Sequence, residues 1–379
     1  MKKSILVIIS VIIGSIVSAQ TSVPGSFIHG GINRNYTLYI PDSYDGSVAY
    51  PLVFNLHGYG SLAWQQELYG DFRAIADTAG FIIVHPNGTV QPGTTSTQFW
   101  NVGFFPSSVD DVNFLETLID TISASYNINQ GRIYSTGMSN GGFMSYKLAC
   151  ESNRFAAVAS VTGSMTTTDA GTCNPSKPTP VMQIHGTADA TVPYAGNAGF
   201  LPVEDVVSYW VSFNNCPTPA NMTAVPNTNT TDGATAEHYV YAPGDGGASV
   251  EFYKVTGGAH TWPGAPLAID ITCMDFSASR EIWRFFSQFT HPNASISENE
   301  FKNNALTVWP NPASDIIQFS SNIQNPQTYA IVDIQGRTVT QGNLNTDQNN
   351  VSVYELKPGI YFLKIRSGKK SAVKRFVKN

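Results

Sequence analysis

The sequence is poor in charge: Lys, Arg, Asp and Glu make up 13% of its 379 residues. Disordered chains combine high charge with few aromatics. Here 12% of residues are aromatic and 42% hydrophobic, which excludes a largely unstructured chain and points to a loop-rich globular protein. Cysteine is scarce as well, with four residues at Cys150, Cys173, Cys216 and Cys273. None lies in a Cys-x-x-Cys pair or at a Cys/His zinc spacing, so no metal and no cofactor is expected. After residue 20 no apolar run approaches the roughly 20 residues that a membrane-spanning helix needs. No tandem repeat suggests a solenoid. Basic residues are few over 21–290, with 9 Lys and Arg against 21 Asp and Glu, which argues against nucleic acid or an anionic membrane as a partner.

What is present begins with a targeting segment at residues 1–19. Lys2 and Lys3 start it, Ile5 to Ile16 is apolar, and Val17-Ser18-Ala19 is a small-residue cleavage site. Export to an oxidising compartment favours two disulfides, and four cysteines allow three connectivities. We expect Cys150–Cys173, close in sequence, and Cys216–Cys273, which would tie the chain before and after a candidate catalytic histidine.

Residues 20–290 read as one domain, in which 36–290 alternate strand-like and helical patterns. Continuous apolar runs at Leu52–Leu56, Phe81–Val84, Ile133–Thr136, Ala156–Val161, Val181–Ile184 and Val250–Val255, with Tyr36–Ile40, suit strands covered on both faces. Helical patterns fall at Trp64–Ala79, Asp110–Tyr126, Asn140–Cys150, Val203–Phe213 and Asp275–Phe289. This alternation predicts an α/β fold, a mostly parallel sheet flanked by helices. Residues 214–249, rich in Asn, Thr, Pro and Gly, read as a surface excursion or a lid. A polar stretch at 291–304 reads as a linker. Short alternating strands and turn signals over 305–379 predict a small all-β sandwich module, with seven basic and no acidic residues from Lys364 onward.

The strongest local signal is Gly137-Met138-Ser139-Asn140-Gly141, a G-x-S-x-G between a predicted strand and a predicted helix. A serine hydroxyl presented at so sharp a turn needs small neighbours, and Gly142 adds a third. Serine is a weak nucleophile without a base. With G-x-S-x-G on this architecture the partners follow in the order Ser, acid, His. Asp189, just past Gln183-Ile184-His185-Gly186, is the candidate acid, and His260, in Gly258-Ala259-His260-Thr261-Trp262, the candidate base. Asp205, Asp270 and His238 compete and fit the order or setting less well. His57, His85 and His185 read as imidazoles bonded to loop backbone. Leu56-His57-Gly58-Tyr59-Gly60 follows an early strand, so the main-chain N–H groups of Tyr59 and Asn140 are assigned to an oxyanion hole. Trp100 and Tyr194 are candidates for substrate contact, and Asp110 and Asp111 for capping a helix.

These residues resemble a known family. Leu56–Gly60, Val109-Asp110-Asp111-Val112, Gly137–Gly142, His185–Asp189, Val192-Pro193-Tyr194, Gly258–Gly264 and Ile282–Phe286 are similar to segments of the poly(3-hydroxybutyrate) depolymerase-like and feruloyl esterase-like proteins, carbohydrate esterase family one. The resemblance implies an α/β-hydrolase fold, ester hydrolysis without a metal, and a triad at Ser139, Asp189 and His260. Residues 305–379 resemble the C-terminal sorting domain of the type IX secretion system in Trp309–Ala313, Val332–Arg337, Leu356–Tyr361 and the basic end Lys374–Lys378. That implies recognition by the secretion machinery and a secreted or cell-surface protein. The expected function is therefore hydrolysis of feruloyl or related esters on plant polysaccharide. A polyester depolymerase is the alternative, and a non-catalytic binding protein on the same fold is the alternative of another class.

Overall fold

A computed structural model describes residues 21–291, 306–321, 328–333, 338–345, 349–367 and 370–379. The expected targeting segment, nearly all of the expected linker and residues 334–337 of the segment Val332–Arg337 lie outside these residues. The chain divides into two compact units, the second holding 290–379 with 117–126 and 130–132.

The first unit opens with the hairpin β1 (Thr21–His29) and β2 (Ile32–Ile40), followed by β3 (Tyr50–Leu56). Helices α1 (Ala63–Tyr69) and α2 (Arg73–Ala79) lead to β4 (Ile82–Pro86) and the small pair β5 (Thr89–Val90) and β6 (Gln98–Phe99). After α3 (Asp111–Ser123), whose residues from 117 on are grouped with the second unit, come β7 (Ile128–Met138, its residues 130–132 grouped likewise), α4 (Asn140–Glu151), β8 (Ala157–Val161), α5 (Thr167–Thr172), β9 (Val181–Gly186) and α6 (Val203–Phe213). The last elements are β10 (Asn221–Ala224), β11 (Thr235–Tyr241), β12 (Val250–Thr256) and α7 (Ala278–Phe286).

Ten strands form one sheet in the order β1-β2-β4-β3-β7-β8-β9-β12-β11-β10. The central block β4-β3-β7-β8-β9-β12 is parallel, and antiparallel strands extend it at both edges. The parallel strands are buried along nearly their whole length, as their apolar runs require. Side chains such as Val53, Phe81, Tyr134, Met182, Ile282 and Phe285 share one core cluster. The topology is that of an α/β hydrolase, and the loops at the carboxyl ends of the parallel strands are where its site is built.

Three expectations need correction. Residues 214–249 are not a loop excursion: β10 and β11 add an antiparallel ribbon to the sheet edge. The single helix expected over Trp64–Ala79 is two, because Gly70 ends α1 and Asp71 and Phe72 intervene before α2. Cys150 and Cys173 form a disulfide, but Cys216 and Cys273 are both free and buried. Cys216 sits by Val250, where β12 begins. Cys273 lies in the loop beyond the far end of that strand, its carbonyl bonded to Gly264 N–H. A seven-residue strand is about 20 Å long, well beyond the roughly 7 Å between Cα atoms that a disulfide can bridge.

In the second unit, β13 (Thr307–Trp309), β14 (Ile316–Ser320) and β17 (Asn350–Ser352) make one sheet. The other sheet runs β16 (Thr338–Asn343), β15 (Thr328–Asp333), β18 (Gly359–Ser367) and β19 (Lys370–Lys378). Ile317, Phe319 and Val351 from the first meet Ile331, Leu363, Ile365 and Phe376 from the second in one core, a small β-sandwich.

Candidate active site

Ser139 lies between the end of β7 and the start of α4 with φ 55° and ψ −119°, a backbone conformation that costs a non-glycine residue about 1–3 kcal/mol. The turn is held on both sides: Ser139 N–H donates to Val161 O (2.8 Å), and Ser139 O accepts from Phe143 N–H (2.9 Å). The neighbouring glycines are sterically required. A Cβ on Gly141 would sit 2.2 Å from Leu56 O, and one on Gly137 2.6 Å from the same atom. The elbow thus rests directly on the loop after β3, and Gly58 is close enough that its Cβ would be 3.5 Å from that of Ser139.

Asp189 and His260 come from the loops after β9 and β12. These loops are in contact: Ala188 N–H donates to Gly258 O (3.0 Å), Gly257 N–H donates to Thr187 Oγ1 (3.0 Å), and a Cβ on Gly186 would lie 2.1 Å from Gly258 O. His260 Nδ1 donates to Asp189 Oδ2 at 2.7 Å. Asp189 Oδ1 accepts from the N–H groups of Thr191 (2.9 Å) and Val192 (2.8 Å). Burial pushes the Asp189 carboxyl up, but hydrogen bonds from His185 and His260, the His260 charge and the Val192 amide outweigh it and hold the group well below the usual carboxylate range. The acid is therefore ionised and orients the imidazole with Nε2 as its free face. Among the described residues no hydrogen bond joins Ser139 Oγ to His260. Such bonds are often long before substrate binds.

Of the competitors, His238 is bonded through Nε2 to Glu251 (2.7 Å) and stacked on Tyr253. Asp205 is exposed in the first turn of α6, and Asp270 accepts from Ile271 N–H. His57 and His185 bond to backbone at Gly58 O (2.7 Å) and Val192 O (2.9 Å). His85 departs from the expectation: no hydrogen bond reaches either ring nitrogen. Sequence reasoning missed the support that His185 gives. Its Nδ1 accepts from Gln183 Nε2 (3.0 Å), which leaves an Nε2–H shared between Val192 O and Asp189 Oδ2 (3.3 Å). The four-residue spacing His185–Asp189 was the available signal.

Tyr59 N–H has no acceptor among the described residues, although its neighbours Gly60 and Ser61 donate to Gln98 O and Gly58 O. Asn140, first in α4, has no intrahelical carbonyl for its own N–H. Trp100 is not a wall of a substrate pocket: its ring is wholly buried, with Nε1 donating to His57 O (3.0 Å). Tyr194 is half-buried, edge-on to His185, and its hydroxyl donates to Glu204 (2.8 Å), so its polar end faces α6. Asp110 caps α3 by accepting from Asn113 N–H (2.9 Å). Asp111 instead forms a buried ion pair with Arg34 (2.7 Å).

One trio among the described residues, Asp232, Cys273 and Asp275, brings possible metal-ligand atoms within 4.8 Å of one another. Its carboxylates are already engaged, Asp232 with Ala234 and Met274 N–H and Asp275 with Thr228 and Asn229 N–H. Burial raises the Cys273 thiol to about 11, so it stays protonated and is a poor ligand. The trio clasps residues 228–234 to the loop behind His260.

Comparison with known proteins agrees with this architecture. Residues 307–379 match the model of the secretion system C-terminal sorting domain. A probable feruloyl esterase C of Aspergillus clavatus is 30% identical over 265 residues, covering 67% of this chain and 83% of that protein. A bifunctional acetylxylan esterase/xylanase of Neocallimastix patriciarum is 28% identical over 262 residues, covering 69% of this chain. Feruloyl esterase B of Piromyces equi is 28% identical over 239 residues, covering 60% of this chain. The chain spans only 34% and 42% of the length of these last two. With the fold, the serine elbow and a relative matched over most of its length in view, the chain belongs to the feruloyl esterase-like family of α/β-hydrolases and carries a C-terminal secretion sorting domain.

Proposed function

We propose that this protein is an exported serine carboxylic-ester hydrolase acting through an acyl-enzyme on feruloyl or related esters of plant cell-wall polysaccharide. The observation that carries the chemistry is the 2.7 Å His260–Asp189 bond in loops at the same sheet end as the strained Ser139 elbow. His260 Nε2 takes the Ser139 proton as Oγ attacks the ester carbonyl, and the N–H groups of Tyr59 and Asn140 hold the oxyanion. The C–O bond to the alcohol breaks, and His260 returns the proton to the leaving oxygen. Water, deprotonated by His260, then releases the acid and restores Ser139. The names of the relatives support the polysaccharide substrate. Residues 20–290 would form the catalytic domain and 305–379 the sorting domain, read by type IX secretion machinery after the segment 1–19 directs export.

A 3-hydroxybutyrate-type polyester is the second reading. It is favoured by the exposed apolar side chains of Tyr59, Trp64 and Leu68 after β3 and of Leu267 and Ile269 after β12. The deciding assay compares release from methyl ferulate with erosion of poly(3-hydroxybutyrate) film, using Ser139→Ala as control. Ferulate release without erosion supports the first reading, and erosion alone the second. Full activity in Ser139→Ala sinks both, and no turnover of any activated ester revives a binding role.

A further inference from the structure

Two main-chain donors on different loops must keep a fixed spacing if both are to meet one oxyanion. The loop carrying Tyr59 follows β3, whereas Asn140 begins α4, and a chain of side-chain hydrogen bonds links them. The Asn140 side chain grips the backbone of Trp100 from both sides: Oδ1 accepts from Trp100 N–H (2.7 Å) and Nδ2 donates to Trp100 O (3.1 Å). The Trp100 indole Nε1 in turn donates to His57 O (3.0 Å), two residues before Tyr59. The Trp100 and His57 rings lie 5.1 Å apart. His57 Nε2 accepts from Gly88 N–H (2.9 Å), so Nδ1 carries the proton and donates to Gly58 O (2.7 Å). That carbonyl belongs to the same planar peptide unit as Tyr59 N–H, so fixing one direction fixes the other. Asn140, Trp100 and His57 are all buried, where such bonds are strongest and least replaceable by water.

We propose that the Asn140 side chain and Trp100 are positioning residues that set the distance and angle between the two oxyanion donors. Asn140 thus serves the hole twice, through its own N–H and through its hold on Trp100. The inference rests on the reading of Ser139 as nucleophile given above. It predicts a cost confined to the tetrahedral state, because ground-state binding does not need both donors aligned.

The test uses the full chain with Trp100→Phe, which keeps a ring against His57 and loses the indole N–H, and Asn140→Ala, which loses both clamp bonds. Hydrolysis of 4-nitrophenyl acetate, inhibition by a phenylboronic acid that forms a tetrahedral adduct, and inhibition by free ferulate are measured well below each variant's Tm. Removal of one oxyanion donor costs about 100- to 1,000-fold in kcat, so misaligning one is expected to cost about 10-fold in Trp100→Phe and more in Asn140→Ala. Boronate affinity should fall in parallel, with KM and ferulate inhibition changed less than about twofold. Wild-type kcat and boronate affinity in the variants, even with a lowered Tm, would overturn the proposal and leave these residues as packing only. A fall in kcat without the matching loss of boronate affinity would also overturn it. If Asn140→Ala does not fold, Trp100→Phe decides alone. Ser139→Ala in the same assay separates the two ideas: retained activity there removes the serine reading, whereas an inactive Ser139→Ala beside normal positioning variants removes only this one.

Discussion

Acid should loosen the first unit through two histidines that the fold holds neutral. His57 and His85 are buried, and burial lowers their pKa from 6.5 to about 4 and about 3. Arg34 near His57 and Arg73 near His85 push the same way; the Gly58 carbonyl at His57 and Asp71 at His85 oppose. Each folded pKa lies below the unfolded value, so the unfolded chain takes up protons first as pH falls. Stability is then fully present above about pH 6.5 and drains away until the folded pKa is reached. At pH 5 the unfolded chain carries roughly 1.8 more protons on the two rings, a slope of about 2.5 kcal/mol per pH unit. From pH 7 to pH 5 the loss sums to about 4 kcal/mol, or roughly a 10 °C fall in Tm for a unit of this size. Thermal unfolding followed by circular dichroism at pH 7, 6 and 5 measures this directly. His85→Leu should remove about half of the slope, and since no hydrogen bond reaches that ring, it sacrifices little at pH 7. A Tm flat from pH 7 to 5, or an unchanged slope in His85→Leu, would refute the reasoning.

Three further outcomes are expected. Gly141→Ala must push the elbow off Leu56 O and should lower kcat/KM for an activated ester by about 100-fold or more while the far-ultraviolet spectrum is retained; near-normal activity would show that the elbow tolerates displacement. Replacing Cys150 and Cys173 together with Ser opens a loop of sequence separation 23 and should cost about 3 kcal/mol in urea unfolding, whereas thiol titration of the denatured wild type should find Cys216 and Cys273 free. Asp111→Ala strands the buried Arg34 guanidinium and should destabilise by about 3–5 kcal/mol in the same assay; a cost under about 1 kcal/mol would mean that water reaches Arg34.

The parallel block was legible because strands covered on both faces are written as unbroken apolar runs, and Leu52–Leu56 and Val181–Ile184 are such runs. The edges were not. β1 is mixed in polarity and contains Pro24, and all four residues of β10 are exposed. Strands of this kind owe their place to pairing with a neighbour, and that partner is not visible in their own sequence. Pro and Asn between 214 and 249 suggested a loop, yet Thr235–Tyr241 pairs with β12 along its whole length. The helix break at Gly70 was likewise hidden, because apolar spacing continues across it.

The site divides along the same line. Ser139, Asp189 and His260 each sit in a local signal, a small-residue turn or a strand end, and the chain order of the fold does the rest. Trp100 carries no such signal. Whether its ring faces a substrate or the core depends on Asn140, 40 positions away, and on His57, 43 positions away. The cysteines fail for a related reason: flanking the candidate histidine's loop in sequence says nothing about which end of β12 each reaches. On the proposed assignment, side chains matter even to an oxyanion hole built from main-chain amides. Side-chain truncation leaves those amides in place, but Asn140, Trp100 and His57 link the two segments that carry them, and those links can be removed one at a time.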